Sequence, residues 1–192
     1  MKKIIKISLL ITGSILCLHA GWLPAKGWLS QQLISYSWHK TVDLKQKSKP
    51  WPWADTYPIA ELSFKRLNKN VVVLNGGDPT TLAFSAGAIA PFNQARSTNP
   101  FVVAGHQDSH FSFLNEVVMN DIISLVDKHG QSQLYQVEAI DIVDASAGEL
   151  PILAEHSQLV LITCYPFINA SNIGNDGGID SNERYVITAK LL

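Results

Sequence analysis

From residue 158 the chain reads QLVLITCYPF, a short apolar run that is closed by a threonine, a cysteine and a Tyr-Pro pair. Branched and aliphatic side chains in so short a run are typical of a buried strand. Pro166 has no N–H to donate to a strand ladder, so it predicts that the strand ends close to Cys164. The cysteine is therefore expected at the mouth of a buried strand.

Similar runs recur on both sides of this stretch and are separated by Gly, Asn, Asp and Pro. We predict about eight strands, and little of the sequence remains for helices. The predicted strands cover residues 60–64, 71–74, 81–84, 101–104, 121–126, 133–144, 158–163 and 184–191, with a hairpin turn at 128–131. Short strands at near-regular spacing indicate a mainly β domain, a closed or nearly closed antiparallel barrel.

The first 25 residues have the pattern of a membrane anchor. Lys2, Lys3 and Lys6 precede a segment, residues 7–25, that has no Asp, Glu, Lys or Arg. Its length approaches the roughly 20 residues needed to cross a bilayer, and the positive flank is expected to stay in the cytoplasm. This predicts a single-pass protein of the inner membrane with a periplasmic, extracytoplasmic domain. A signal peptide cleaved after Ala20 is the alternative, and a lipid-modified Cys17 is disfavoured by Leu16 before it.

The chain divides into three predicted parts: an anchor at 1–25, a juxtamembrane amphipathic helix and linker at 26–50, and one catalytic domain at 51–192. An apolar content of 46% in 192 residues suits one well-buried domain. The formal net charge of −1 leaves no basic surface for phosphate neutralisation. Nucleic acid is therefore excluded as an expected partner.

Cys164 is the one thiol expected outside the membrane, because Cys17 lies within the apolar segment. A disulfide between the two is therefore ruled out. A free thiol in an oxidising compartment is exposed to sulfenic acid and mixed-disulfide formation, so it has to be buried or used. A cysteine that merely packs in its strand is the alternative, but the single thiol favours a nucleophile.

Two further residues occupy corresponding strand ends. His106 follows the apolar run 101–105, and Arg184 begins the last predicted strand. If the strands ending at Cys164 and starting at Arg184 are antiparallel neighbours, the thiol and the guanidinium lie side by side. The connection between them, residues 165–183, is polar and long for a hairpin, as is typical of a functional loop.

These three residue types suffice for acyl transfer. Neighbouring cations favour the thiolate, which is the nucleophile, and a guanidinium can donate hydrogen bonds to an oxyanion. An imidazole can protonate the leaving amine. No metal and no cofactor are required. A metal site at His106, Asp108 and His110 is disfavoured, because a spacing of four residues does not align two imidazoles on one face of a strand.

The motifs Gly105-His106, Leu161-Ile162-Thr163-Cys164-Tyr165-Pro166 and Arg184-Tyr185-Val186 resemble those of the sortases. The segments 51–56, 105–111 and 163–167 are similar to the proteobacterial subgroup called class GN. Val160 stands where the family's TLxTC motif has threonine, and Gln107 stands where the subgroup is expected to have arginine. Neither difference removes a catalytic atom.

The resemblance implies an eight-stranded sortase barrel, with mixed strand pairing, and a Cys164-His106-Arg184 site. It implies a cysteine transpeptidase that cleaves an LPxTG-like C-terminal sorting signal of a partner membrane protein through a thioester. An amine acceptor of unknown identity then resolves the thioester. The subgroup usually accompanies a target protein with a von Willebrand A-type domain.

Two other functions remain open. An L,D-transpeptidase acting on peptidoglycan peptides also uses Cys, His and Arg, but its cysteine and arginine lie close together in sequence, whereas Arg184 lies far beyond Cys164. A non-enzymatic envelope scaffold would use the barrel for binding and Cys164 for packing alone. Thiol labelling of the native protein separates the scaffold from either enzyme.

Overall fold

The structure is a computed structural model that describes residues 2–95, 97–147, 156–167 and 182–192. The described residues form two α-helices and eight strands. The helices are α1 (Lys2–Leu44) and α2 (Pro79–Phe84), and the strands are β1 (Pro58–Phe64), β2 (Lys69–Asn75), β3 (Gly87–Ala88), β4 (Phe101–Ala104), β5 (Ile122–Asp127), β6 (Ser132–Asp144), β7 (Gln158–Cys164) and β8 (Glu183–Leu191). Three single 3₁₀ turns lie at 65–67, 114–116 and 145–147.

The strands close into a barrel in the order β1-β2-β3-β4-β7-β8-β6-β5. This confirms the predicted mainly β barrel. The pairing is mixed, as the resemblance implied, because β2 pairs with β3 and β4 pairs with β7 in parallel. Parallel neighbours need a long crossover connection. The chain supplies one for β4 and β7 by building β5 and β6 between them.

The predicted strand at 81–84 is also wrong, since these residues belong to α2. The side chain of Asp78 accepts hydrogen bonds from the backbone N–H groups of Thr80 and Thr81 at 3.1 and 3.0 Å, and Pro79 occupies the first helical turn. A capping aspartate followed by proline favours a helix start over a strand. The third strand follows at β3, where a Cβ on Gly87 would lie 1.9 Å from the carbonyl oxygen of Gly76.

The predicted hairpin turn at 128–131 is confirmed between β5 and β6. Gly130 has a φ of +76°, which glycine adopts without strain. The carboxylate of Asp127 accepts hydrogen bonds from the backbone N–H groups of His129 and Gln131 at 2.8 and 2.9 Å. These bonds hold the turn at one end of the barrel.

Two apolar clusters lie on opposite faces of the sheet, because successive strand residues point to opposite sides. The larger cluster fills the barrel interior and includes Leu159 and Leu161 of β7. The smaller cluster lies on the outer face of β4, β7 and β8. It consists of Val102, Val160, Ile162 and Val186, against which Ile89, Phe92 and Val143 pack.

Helix α1 packs its C-terminal third on the outside of β1, β2 and α2. The buried face has helical spacing and comprises Ser30, Ile34, Ser37, Trp38 and Thr41. The Trp38 indole N–H donates to the carboxylate of Glu61 at 3.2 Å. The predicted juxtamembrane helix is thus continuous with the apolar segment, but Trp28, Leu29 and Tyr36 lie on its exposed side.

The N-terminal part of α1 lies outside the barrel. The segment Leu9–Leu44 is long and apolar enough to cross a membrane by length and composition, and none of its apolar window is buried. This is weak support for the predicted anchor, because a signal sequence has the same character.

Candidate active site

Cys164 and Arg184 are direct cross-strand partners. Strands β7 and β8 are antiparallel, and their register ends with Cys164 opposite Arg184. The backbone N–H of Tyr165 donates to the carbonyl of Glu183 at 3.1 Å, which extends the pairing beyond the cysteine. Opposite residues of an antiparallel pair have Cα atoms only about 4.5–5.5 Å apart. The neighbouring strands expected from the sequence are therefore present.

The parallel pairing of β4 and β7 brings His106 level with Cys164 and Arg184. Ala104 lies opposite Ile162, and the backbone N–H of Gly105 donates to the carbonyl of Ile162 at 3.1 Å. The buried hydroxyl of Thr163 donates to the carbonyl of Gly105 at 2.7 Å. Continuing this register by two residues places His106 level with Cys164. All three candidate residues thus share one end of the barrel.

The three side chains remain accessible to a ligand. Cys164 and Arg184 are partly exposed and His106 is exposed. Cys164 comes two residues after the outward-facing Ile162 in β7, and Arg184 comes two residues before the outward-facing Val186 in β8, so both extend the outer apolar cluster to its rim. The Arg184 Nη1 donates to the carbonyl of Glu183 at 2.9 Å. An extended peptide could lie over the apolar cluster with a carbonyl at this rim.

Gly105 is required where it stands because the ring of Phe111 packs onto it. A Cβ at this position would lie 2.8–3.2 Å from three ring carbons of Phe111, which is fully buried. The backbone N–H of Phe111 also donates to the carbonyl of His106 at 3.0 Å. The loop after β4 therefore folds back onto Gly105 and His106. These contacts hold the loop at the end of the barrel that carries His106.

His110 connects this loop to α2. Its imidazole, which is only partly exposed, lies next to the carbonyl of Ala83. Burial lowers the pKa of His110, the charge on His106 lowers it further, and the Ala83 carbonyl and Asp108 oppose the shift. The neutral imidazole is therefore favoured at this position.

Gln107 points away from solvent next to His106. Its side chain is buried, and within the described ranges its Oε1 has no hydrogen-bond partner. This is the position at which the sequence differs from the expected arginine. In the described part of the chain, no group of three or more His, Cys, Asp or Glu side chains could hold a metal ion.

An aromatic cluster covers the inner side of the same rim. Tyr165 stacks on Tyr185 with ring centroids 6.4 Å apart, and Phe167 meets Tyr185 edge-on at 5.1 Å. Burial raises the pKa of Tyr185, and the nearby Tyr165 adds to the shift. The predicted functional loop begins in this cluster, and its residues 168–181 lie outside the described residues.

Sequence reasoning missed three of these features. The fit of Phe111 over Gly105, the contact of His110 with α2 and the Tyr165–Tyr185 stack all join residues from different elements. Only the glycine before His106 was a usable signal, and it predicted a close approach without naming the partner. The contacts themselves depend on which elements become neighbours.

Comparison with known proteins agrees with this architecture. The chain is 27% identical to sortase D of Bacillus subtilis over 132 residues, which is 68% of this chain and 62% of that protein, so less than two thirds of the relative's length is matched. Among solved structures, sortase A from Corynebacterium diphtheriae has a TM-score of 0.61 at 18% identity, covering 85% of this chain and 82% of that one.

A Clostridium perfringens sortase D5 transpeptidase has a TM-score of 0.63 at 15% identity, covering 85% of this chain and 98% of the other. At these identities the structures establish a common fold. The sortase domain family matches residues 62–192, which include β4, β7, β8 and all three candidate residues. The chain therefore belongs to the sortase family.

Proposed function

We propose that this protein is a sortase-type cysteine transpeptidase in which Cys164 is the nucleophile, His106 the proton donor and acceptor, and Arg184 the oxyanion donor. The observation that carries the proposal is the pairing of Cys164 with Arg184 across β7 and β8. The parallel register of β4 and β7 adds His106 to the row. A thiol, an imidazole and a guanidinium at one accessible barrel rim supply every group that acyl transfer needs.

In the first step the Cys164 thiolate attacks a backbone carbonyl of the substrate. The C–N bond breaks, and the leaving amine takes a proton from His106, which leaves a thioester on Cys164. In the second step an acceptor amine attacks the thioester carbon, its proton passes to His106, and the thiolate is released. Arg184 donates hydrogen bonds to the carbonyl oxygen while it carries negative charge in both steps.

The substrate we propose is an LPxTG-like sorting signal near the C-terminus of a partner protein, of the kind that accompanies class GN sortases and carries a von Willebrand A-type domain. The resemblance of the segments 51–56, 105–111 and 163–167 to class GN supports this subgroup. The acceptor is an amine. The outer apolar cluster of β4, β7 and β8 is a suitable surface for the aliphatic residues of such a signal.

We further propose that α1 anchors the protein in the inner membrane, with residues 1–25 as the anchor, 26–50 as its extension and 51–192 as a periplasmic catalytic domain. The support is the length and composition of the apolar helix and the lysines before it. The packing of Ile34 and Trp38 on the barrel makes the extension part of the folded domain.

The test is intact-mass analysis of the full chain in detergent after mixing with an LPxTG-like peptide. We expect an adduct of the peptide's N-terminal part, absent in Cys164→Ala and strongly reduced in Arg184→Ala. Arg66→Ala is the control, because Arg66 pairs with Asp121 at 2.6 Å outside the site. Release of peptidoglycan peptides instead would favour the L,D-transpeptidase, and a native Cys164 that reacts with neither peptide nor iodoacetamide would favour the scaffold.

A further inference from the structure

A cavity lies at the end of the barrel opposite to the candidate active site. Strands β4, β6 and β7 run toward the site, because β4 is parallel to β7 and both β6 and β7 are antiparallel to β8. Through the antiparallel pairs β5–β6, β1–β5 and β1–β2, the start of β1 and the ends of β2 and β5 fall at the opposite end. Residues at these strand ends and in the loop before β4 enclose about 460 Å³. A volume of this order is typical of small-molecule sites.

Hydrogen bonds hold the walls of this cavity in place. The backbone N–H of Asn75, at the end of β2, donates to the carbonyl of Tyr57 at 2.9 Å. The N–H of Val102 donates to the carbonyl of Phe92 at 2.9 Å, which fastens the loop before β4. On the third side, the buried carboxylate of Asp127 holds the turn between β5 and β6. A cavity with fixed walls loses little conformational entropy when a ligand binds.

Two asparagines in the wall leave one donor and one acceptor open to a ligand. The Nδ2 of Asn93 donates to the Oδ1 of Asn75 at 3.1 Å, which joins the loop before β4 to the end of β2. A side-chain amide has two N–H donors and one acceptor oxygen. Among the described residues, neither the Nδ2 of Asn75 nor the Oδ1 of Asn93 has another hydrogen-bond partner. The pair is therefore complementary to another amide, which offers one N–H and one carbonyl.

Apolar and aromatic side chains line the cavity next to this pair. Ile59 is buried in the barrel core, and Ala95 and Tyr57 pack against the same core. An N-acetyl group fits such a lining, because its methyl group favours apolar contact while its amide needs hydrogen bonds. An aromatic ring adds a large apolar surface, on which the C–H face of a sugar ring can lie.

The exposed charges beside the cavity are positive, in a chain whose formal net charge is −1. Lys128 is exposed in the turn between β5 and β6 and lines the cavity. The ammonium of Lys47 lies over the ring of Tyr57, 3.5 Å from the ring centroid. Asp127 also lines the cavity, but its carboxylate is buried and accepts two backbone hydrogen bonds. The field at the entrance therefore favours an anionic ligand.

We propose that this cavity binds an N-acetylated amino sugar that carries an acidic substituent, at a site separate from the candidate active site. The amide of the N-acetyl group pairs with Asn75 and Asn93, and its methyl group contacts Ile59. The acidic substituent lies toward Lys128. Because the two sites occupy opposite ends of the barrel, the sugar leaves Cys164 accessible to a peptide.

The ligand class is tested by isothermal titration calorimetry of the full chain in a detergent without a sugar headgroup. The probe is the disaccharide of N-acetylglucosamine and N-acetylmuramic acid, which carries N-acetyl groups and a carboxylate. Diacetylchitobiose has the N-acetyl groups alone, and cellobiose has neither group. We expect the acidic disaccharide to bind about threefold more tightly than diacetylchitobiose, the effect of one exposed ion pair, and cellobiose not to bind.

Each other result counts against the proposal. No binding of either N-acetylated probe, or equal binding of cellobiose, overturns the site. Equal affinities for the acidic disaccharide and diacetylchitobiose overturn the requirement for an acidic substituent.

Three variants locate the binding on the molecule. Asn93→Ala should weaken both N-acetylated probes about tenfold, because it removes one member of the amide pair. Lys128→Gln, at an exposed position that does not affect folding, should weaken the acidic disaccharide about threefold and leave diacetylchitobiose unchanged. Asn70→Ala is the matched control, since this exposed amide lies near the start of β2, at the other end of the barrel. Wild-type affinity in Asn93→Ala and Lys128→Gln would place the sugar elsewhere and overturn the assignment.

The binding measurement is independent of catalysis. Cys164→Ala should bind the acidic disaccharide as the wild type does, and weaker binding would contradict separate sites. Asn93→Ala should cleave a soluble LPxTG-like peptide at the wild-type rate. A chain that binds the sugar but cleaves no peptide fails the proposed function alone, and a chain that cleaves the peptide but binds no sugar fails this inference alone.

Discussion

At the scale of single residues, the site is held together by backbone register more than by side-chain contacts. Cys164 and Arg184 are neighbours because they occupy opposite positions of one ladder, and His106 is level with them because Gly105 is bonded to Ile162 and Thr163. A rigid ladder can hold reacting groups in place without ordering cost at each turnover. The roles proposed for these residues follow from that placement.

The guanidinium of Arg184 is expected to matter through its geometry as well as its charge. Arg184→Ala should lower kcat/KM for a sorting peptide by about 10²–10³-fold, the usual effect of losing an oxyanion donor. Arg184→Lys keeps the charge but lacks the planar fork, so it should recover only part of the loss. Steady-state cleavage kinetics measure both variants. A fully active lysine variant would show that the planar fork of the guanidinium is not needed.

His110 gives the fold a pH dependence whose sign follows from its environment. Its pKa is lowered from the ordinary 6.5, chiefly by burial. The unfolded chain therefore binds this proton more readily, and the stabilising contribution is complete above about pH 6.5 and is lost as the pH falls through the folded pKa. His106 and Asp108 both act on the group.

We expect the melting temperature of the wild type to fall more steeply than that of His110→Asn when the pH is lowered from roughly 7.5 to 5. This range spans the ordinary histidine pKa. His129→Asn, a change in the exposed turn between β5 and β6, is the control and should keep the wild-type slope. Parallel slopes for His110→Asn and the wild type would show that His110 is not the titrating group. Thermal unfolding followed by circular dichroism gives the comparison.

At the scale of elements, α2 is the piece that connects α1 to the loop carrying His106. The carbonyl of Phe84 accepts a hydrogen bond from Gln31 of α1, and the carbonyl of Ala83 lies next to His110. The N-terminus of α2 is held by Asp78, whose carboxylate also accepts from the Thr81 hydroxyl at 2.6 Å. These hydrogen bonds lower the pKa of Asp78, so the cap is fully present above pH 4 and weakens as the pH falls through the shifted value.

Loss of this cap should therefore be felt as a modest loss of stability. Asp78→Ala is expected to reduce the free energy of unfolding by about 1 kcal/mol, the typical value for an N-cap. Asp78→Asn keeps a capping oxygen and should stay within a few tenths of a kcal/mol of the wild type. Urea titration in detergent measures both, and an alanine variant as stable as the asparagine variant would show that the cap is dispensable.

At the scale of the whole molecule, α1 is apolar enough at its N-terminal end to cross a membrane by length and composition, and at its C-terminal end it forms part of the domain surface. Ile34 and Trp38 are 1% and 2% exposed, so they are as buried as residues inside the barrel. The packed end of the helix is therefore part of the folded domain. Removing α1 by starting the chain after Leu44 would uncover the face of the barrel on which Ile34 and Trp38 pack.

The stabilising effect of α1 can be measured with two aromatic positions on the same helix. Trp38→Ala should lower the free energy of unfolding by about 3–5 kcal/mol, because it removes a buried ring and leaves the Glu61 carboxylate without its indole partner. Tyr36→Ala, at a side chain that is 67% exposed, should cost about 0.5 kcal/mol or less. Equal effects in urea unfolding would mean that the helix contributes nothing through packing.

Local patterns were sufficient for most strands and for the composition of the site. Three features could be predicted from the sequence directly: the run ending at Cys164, the glycine before His106 and the strand beginning at Arg184. Strand ends and reactive residue types are properties of short segments. Residues 81–84 were misread because a threonine followed by three apolar residues fits either a strand or a helix turn. The cap at Asp78 and Pro79 decides between them.

By itself the sequence determined the apolar N-terminal segment, the positions of seven of the β-runs and the three residues that could perform acyl transfer. Only the tertiary structure decided that β4 pairs with β7 in parallel, that Cys164 faces Arg184 in register, that His110 reaches α2, and that Gln31 of α1 bonds to the end of α2. The physical reason is that periodicity and capping act within a few residues, whereas pairing register and helix direction depend on packing between residues far apart in the chain.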